Sequence, residues 1–167
     1  QHPSFHLLVM VNADELALLS DTLNSLRDQL YSSWGLTILS VLPQPEAFNN
    51  VPENIEWITL SEPLNDAIEK AVNEAELDWV MQIIPGDKLM PHALLRFSEQ
   101  INTKEHARFI YSDEIEGGNA GNIVFKSGFN LELLRAHSYL GLSVIVRRDA
   151  LDELDGFTHL AYVSNTD

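Results

Sequence analysis

Cysteine is absent from the 167 residues, which excludes disulfides, thiolate nucleophiles and cysteine-ligated metals. Basic side chains are scarce: 10 Lys and Arg stand against 25 Asp and Glu, for a formal charge of −15. That balance argues against a nucleic-acid partner, because few counterions could be released from a phosphate backbone. A uniformly anionic substrate is repelled as well, unless a metal or a local basic pocket intervenes. No apolar run approaches the roughly 20 residues of a membrane helix, and nothing at the amino end reads as a signal peptide. The expectation is a cytoplasmic setting without a transmembrane segment, with any membrane association coming through other parts of a longer chain. The opening at Gln1 and the stop after SNTD read as one domain, 1–167, cut from that longer chain.

Several chemistries are excluded by missing motifs. VNADELA follows the first apolar run, where a dinucleotide fold needs G-x-G-x-x-G. There is no P-loop G-K-[ST] and no G-x-S-x-G nucleophile elbow. The six histidines, His2, His6, His92, His106, His137 and His159, show no metal-ligand spacing.

What is present is 45% hydrophobic residues in a regular alternation of strands and helices. Continuous apolar runs predict buried strands at 5–11, 36–42, 55–60 and 78–84, with shorter ones at 108–112, 123–127 and 142–147. Leu16, Leu19, Leu23, Leu26 and Leu30 fall at helical spacing. Ser61-Glu62-Pro63 reads as a helix start, followed by the stripe Leu64, Ile68, Ala71, Val72 and Ala75. Pro91 opens a helix through Leu94, Leu95 and Ile101. LELLRAH is a short helix, and RDALDELDGF is a helix ended by Gly156. This order predicts an α/β domain on a mostly parallel sheet, with helices on both faces and a mixed far edge near 108–127.

Acids remain at strand ends: Asp87, Asp113 and Glu114, with Asp167 at the terminus. Open α/β sheets bind ligands at the carboxyl ends of their strands. Asn12, Ser40, Asp87 and Asp113 are therefore expected around one cleft there. A divalent cation carrying a diphosphate takes a few carboxylate oxygens, and a spare carboxylate can act as general base toward a hydroxyl. For any single acid, a turn or cap role is the simpler alternative.

The order of the segments resembles the GT-A glycosyltransferases of family 2, which include bacterial polysaccharide and O-antigen transferases. Ser25-Leu26-Arg27-Asp28-Gln29-Leu30-Tyr31 with Trp34 resembles the family's first helix and second strand. LNDAIEKAVNEAELDWVMQI (64–83) is similar to its second helix and fourth strand. YSDE (111–114) with GGNAGNIVFKSGFNLELL (117–134) resembles its "YSDED…fKPdwnpelL" run. SYLG (138–141), VRRDAL (146–151) and DGF (155–157) match its later segments in order. The resemblance implies a GT-A-like three-layer sandwich with a mostly parallel mixed sheet. It implies transfer of a sugar from a nucleotide-sugar donor to a hydroxyl of a glycan acceptor, with Mg or Mn as the family's metal.

Carried onto this sequence, Asn12, Ser40, Asp87 and Lys88 fall on the donor and nucleotide side, and Asp113 and Glu114 on the sugar or acceptor side. Asp167 falls where the family's catalytic base motif would begin. The departures are specific. Ser40 and Val41 stand where paired acids hold the nucleobase, and Glu69 replaces an asparagine. Ile84-Pro85-Gly86 stands at the D-x-D metal motif, leaving Asp87 as its remnant. Two functions follow: a sugar transferase, or a catalytically degenerate GT-A domain acting as a scaffold or interaction module, perhaps beside a neighbouring domain.

Overall fold

The computed structural model describes residues 2–117, 121–137 and 139–153. Among the described residues, eight strands are formed: β1 (Phe5–Met10), β2 (Trp34–Ser40), β3 (Ile55–Thr59), β4 (Trp79–Ile83), β5 (Phe109–Tyr111), β6 (Glu114–Glu116), β7 (Asn122–Val124) and β8 (Val144–Arg147). The α-helices are α1 (Leu16–Arg27), α2 (Leu64–Ala75), α3 (Ala93–Thr103), α4 (Leu131–Ala136) and α5 (Arg148–Asp152). Six strands make one sheet in the order β3-β2-β1-β4-β8-β5. The first four are parallel, while β8 runs antiparallel to both β4 and β5. Two reversals bring β5 back into the direction of β4, so its carboxyl end shares their edge of the sheet.

Alternation along β1 builds both cores at once, since successive side chains point to opposite faces. Phe5, Leu7, Val9 and Val11 pack with Leu19, Leu23 and Leu26 of α1 and with Leu94, Phe97 and Ile101 of α3. Leu8 packs on the other face with Ala67, Ile68, Ala71 and Val72 of α2 and Leu151 of α5. The result is a three-layer α/β sandwich with a mixed, mostly parallel sheet. Buried on the α2 face is also His6, whose Nε2 lies 2.9 Å from Thr37 Oγ1.

Local chemistry moves several expected boundaries. β2 stops at Ser40 rather than 42, because the Ser40 hydroxyl accepts the Leu42 N–H at 3.1 Å and turns the chain. No side chain at Ser61 caps α2. Pro63 occupies the N-cap in extended conformation, and its carbonyl accepts the Ala67 N–H at 3.1 Å. α1 ends at Arg27, so Leu30 lies beyond it and is exposed, its N–H bonded to Pro91 O. The 123–127 run does not join the sheet. Only Asn122–Val124 pairs, with β6, as a separate two-stranded ribbon. The mixed edge is instead made by β8 and β5. α5 is described to Asp152, and Gly156 lies outside the described residues.

Candidate functional site

The turn after β4 is held by its own sequence. Asp87 N–H donates to Ile84 O at 3.1 Å, closing a four-residue turn. Pro85 occupies its second position and Gly86, at φ +98°, its third. This is the residue pattern of a type II turn, which needs φ > 0 at that third position. Asp87 Oδ2 also accepts the Ile84 N–H at 3.1 Å. Thr22 Oγ1 of α1 accepts the Gly86 N–H at 2.9 Å and pins the turn to the helix. Burial raises the Asp87 carboxyl above its ordinary range, opposed by the bond from Ile84 and reinforced by the charge of Glu114.

That electrostatic contact connects two strand ends. Asn12 follows β1, Ser40 ends β2, Asp87 follows β4 and Asp113 with Glu114 follow β5, all at the carboxyl edge. Their side chains are largely engaged within the fold. Ser40 is buried, and its hydroxyl donates to Val11 O at 2.7 Å, tying the ends of β1 and β2. The Asn12 N–H donates to Glu15 Oε2 at 2.9 Å at the start of a short 3-10 turn. Lys88 pairs with Asp21 of α1 at 2.9 Å, both largely exposed. Such a surface pair is worth at most about 1 kcal/mol. Asp113 Oδ1 accepts the Lys126 N–H at 2.8 Å.

Lys126 was legible only as one letter of the resembling run, yet it is the best-connected group here. Its side chain is 2% exposed. The ammonium donates to Glu114 Oε1 at 2.7 Å, to Ser143 Oγ at 2.5 Å and to the Leu140 carbonyl, which uses all three N–H bonds. Glu114 Oε1 also accepts the Ser143 N–H at 3.0 Å, and Ser143 Oγ donates to Ser112 O at 2.8 Å. Burial alone would raise the Glu114 carboxyl, but the bonds from Lys126 and Ser143 outweigh it and hold it below the usual range. Gly141, at φ +63°, makes the approach possible: a Cβ there would lie 2.7 Å from Glu114 Oε1.

The turn does not fit a divalent metal. Ile84 carries no ligand atom, Gly86 offers only backbone, and one Asp87 oxygen is already bonded. Among the described residues, no group of three or more His, Asp or Glu side chains is arranged to hold an ion. Asp167 lies outside the described residues. Placing an acid at Gly86 is opposed by backbone geometry. Gly86→Asp is expected to destabilise the domain by about 1–2 kcal/mol, the cost of a left-handed conformation for a side-chain-bearing residue. Ile84→Asp, at an exposed position, should leave stability nearly unchanged. Urea midpoints of the two single variants provide the comparison.

Two solved structures superpose on this chain. TarS 1–349 from S. aureus, in complex with UDP-GlcNAc, superposes with TM-score 0.70 at 17% identity, over 91% of this chain and 47% of that one. The mannosyltransferase PcManGT from Pyrobaculum calidifontis, in complex with GDP-Man and Mn2+, gives 0.65 at 13% identity, over 93% and 48%. This chain shares its fold with both of those structures.

This chain thus spans about half of each of those structures. In sequence, the uncharacterized protein y4gI of Sinorhizobium fredii is 25% identical over 150 residues, covering 83% of this chain and 16% of that protein. No family model matches. No helix among the described residues is long and apolar enough to cross a membrane.

Proposed function

We propose that this chain is a family 2-type GT-A domain whose nucleotide-diphosphate site has lost its metal, retained as a binding or scaffold domain in glycan synthesis. One observation carries the reading: the turn after β4 is a Pro-Gly turn, and by the resemblance Ile84 and Gly86 stand at the positions of metal-ligating acids. Without an ion, a diphosphate needs basic side chains or helix N-termini. Lys88 is held by Asp21, and the net charge of −15 opposes an anion. Ser40, at the position of a base-contacting acid, donates inward to Val11 O instead.

The competing reading is sugar transfer by this chain. Asp87 favours it, as a carboxyl raised by burial and so better suited to take a proton from an acceptor hydroxyl. Asp113 and Glu114 would line the acceptor side, and Asp167 remains a candidate base. Calorimetric titration with UDP, UDP-GlcNAc and GDP-mannose, each with and without manganese, separates the two. Weak binding that manganese leaves unchanged is expected. Tight manganese-dependent binding, or transfer of sugar to an added glycan hydroxyl with release of UDP or GDP, would overturn the degenerate reading.

A further inference from the structure

Four aromatic rings form a row along one face of β5. Phe129 meets Phe109 edge-on with centroids 5.3 Å apart, Phe109 lies 6.4 Å from Tyr111 with planes 20° apart, and Tyr111 meets Tyr139 at 6.3 Å. Phe109 and Tyr111 point the same way because they are two residues apart on one strand, while Ile110 between them packs into the core. Phe129 is 54% exposed and Phe109 36%. Apolar surface of this kind, gathered rather than scattered, marks a binding surface.

The row is held rigid by its polar ends. Tyr111 Oη donates to Ser127 O at 2.7 Å, and Tyr139 Oη accepts the Asn130 N–H at 3.0 Å. Rings already fixed lose little freedom on binding. The inner end adjoins the carboxyl edge of the sheet: Asp113 and Glu114 follow Tyr111 by two and three residues. Tyr139 directly precedes Leu140, whose carbonyl accepts from Lys126.

Charge selects the occupant. Three bases on the segments that carry or follow these rings are engaged, Lys126 with Glu114, Arg108 with Glu153 and Arg135 with Glu132. Asp113 is exposed and can accept hydrogen bonds from hydroxyl groups. A polymer bearing phosphates or carboxylates meets acids and occupied cations. A pyranose, with polarised C–H bonds on one face and hydroxyls at its rim, matches both the negative ring faces and the acceptor oxygens.

We infer that this row is a track for a neutral oligosaccharide, entering at Phe129 and ending beside Glu114. The inference rests on the glycosyltransferase-type reading above, but it concerns the acceptor side alone and does not require donor binding.

The test uses the whole chain without donor or metal. Tetrasaccharides of β-1,4-linked glucose, β-1,4-linked N-acetylglucosamine and α-1,6-linked mannose are titrated while the aromatic side-chain NMR signals are followed, with inorganic polyphosphate as the anionic comparison. At least one neutral tetrasaccharide should shift the Phe109, Tyr111 and Phe129 signals, and polyphosphate should not. Phe129→Ser and Phe109→Ala should each weaken binding about tenfold, a loss of roughly 1.4 kcal/mol, with circular dichroism unchanged. Failure of all three sugars, equal binding by both variants, binding by polyphosphate, or concentration-dependent self-association through the row would overturn the inference. Weak nucleotide binding alone would leave it standing, and tight nucleotide binding without sugar shifts would sink it while rescuing the enzyme.

Discussion

Replacing Lys126 by Met is expected to destabilise the domain by about 3 kcal/mol, the low end for breaking a buried ion pair by removing one partner. The low end applies because Glu114 keeps 30% of its side chain in contact with solvent, so water takes up part of the abandoned charge. Three acceptors lose a donor together: the Glu114 carboxylate, Ser143 Oγ and the Leu140 carbonyl. Lys126→Met combined with Glu114→Gln should recover part of the loss, because the uncompensated charge is gone. Urea titrations of both variants at neutral pH test this. Recovery of nothing would show that the bonds to Leu140 and Ser143, not the charge, carry the stabilisation.

The pair also has a pH signature. The folded Glu114 carboxyl lies below its unfolded value. Its contribution is therefore complete above the unfolded pKa and is lost as pH falls through the folded one. Lys126→Met should flatten that acid limb.

Acidification is expected to reach His6 first. Burial lowers its pKa from 6.5 to about 4, so between those values the unfolded chain binds a proton that the folded one refuses. Stability is full above pH 6.5 and falls as pH drops toward 4. At roughly 1.36 kcal/mol per pKa unit, the loss across that window is about 3 kcal/mol. Below the folded value it falls no further. Replacing His6 by Leu together with Thr37 by Val removes both partners of the buried bond, which is close to neutral when shape is kept. The double variant should lose most of the pH dependence between 6.5 and 4. An unchanged slope would place the acid sensitivity elsewhere.

The parts of the fold legible in the sequence were those with redundant signals. The parallel strands are apolar along their whole length because both faces are covered, and β1 carries that signal in FHLLVM. Strands of three residues carry almost none. β6, reading Glu-Ile-Glu, has no strand signature, and for the same reason nothing in the run at 123–127 marks the separate ribbon that Asn122–Val124 forms with it. The edge on which Asn12, Ser40, Asp87, Asp113 and Glu114 lie followed from strand direction. What each side chain does there did not. Ser40 donates backward into β1, and Lys88 turns to Asp21 of α1, a residue 67 positions away in sequence. No periodicity could mark Lys126, since a lone lysine after an apolar strand ordinarily points to water. The aromatic row has no signature in the sequence because its members come from β5, the segment before α4, and the segment before β8.

Gly141 carries a consequence for how sequences of this kind can drift. The Glu114 carboxylate occupies the space its side chain would need, and its φ of +63° already disfavours any other residue. The two positions therefore share one volume. Among homologues they should covary: glycine at 141 where 114 is glutamate, and a larger residue at 141 only where 114 has become short. Such a pair is a contact constraint that an alignment would reveal, linking the ribbon to the entry of β8 across 27 residues of chain.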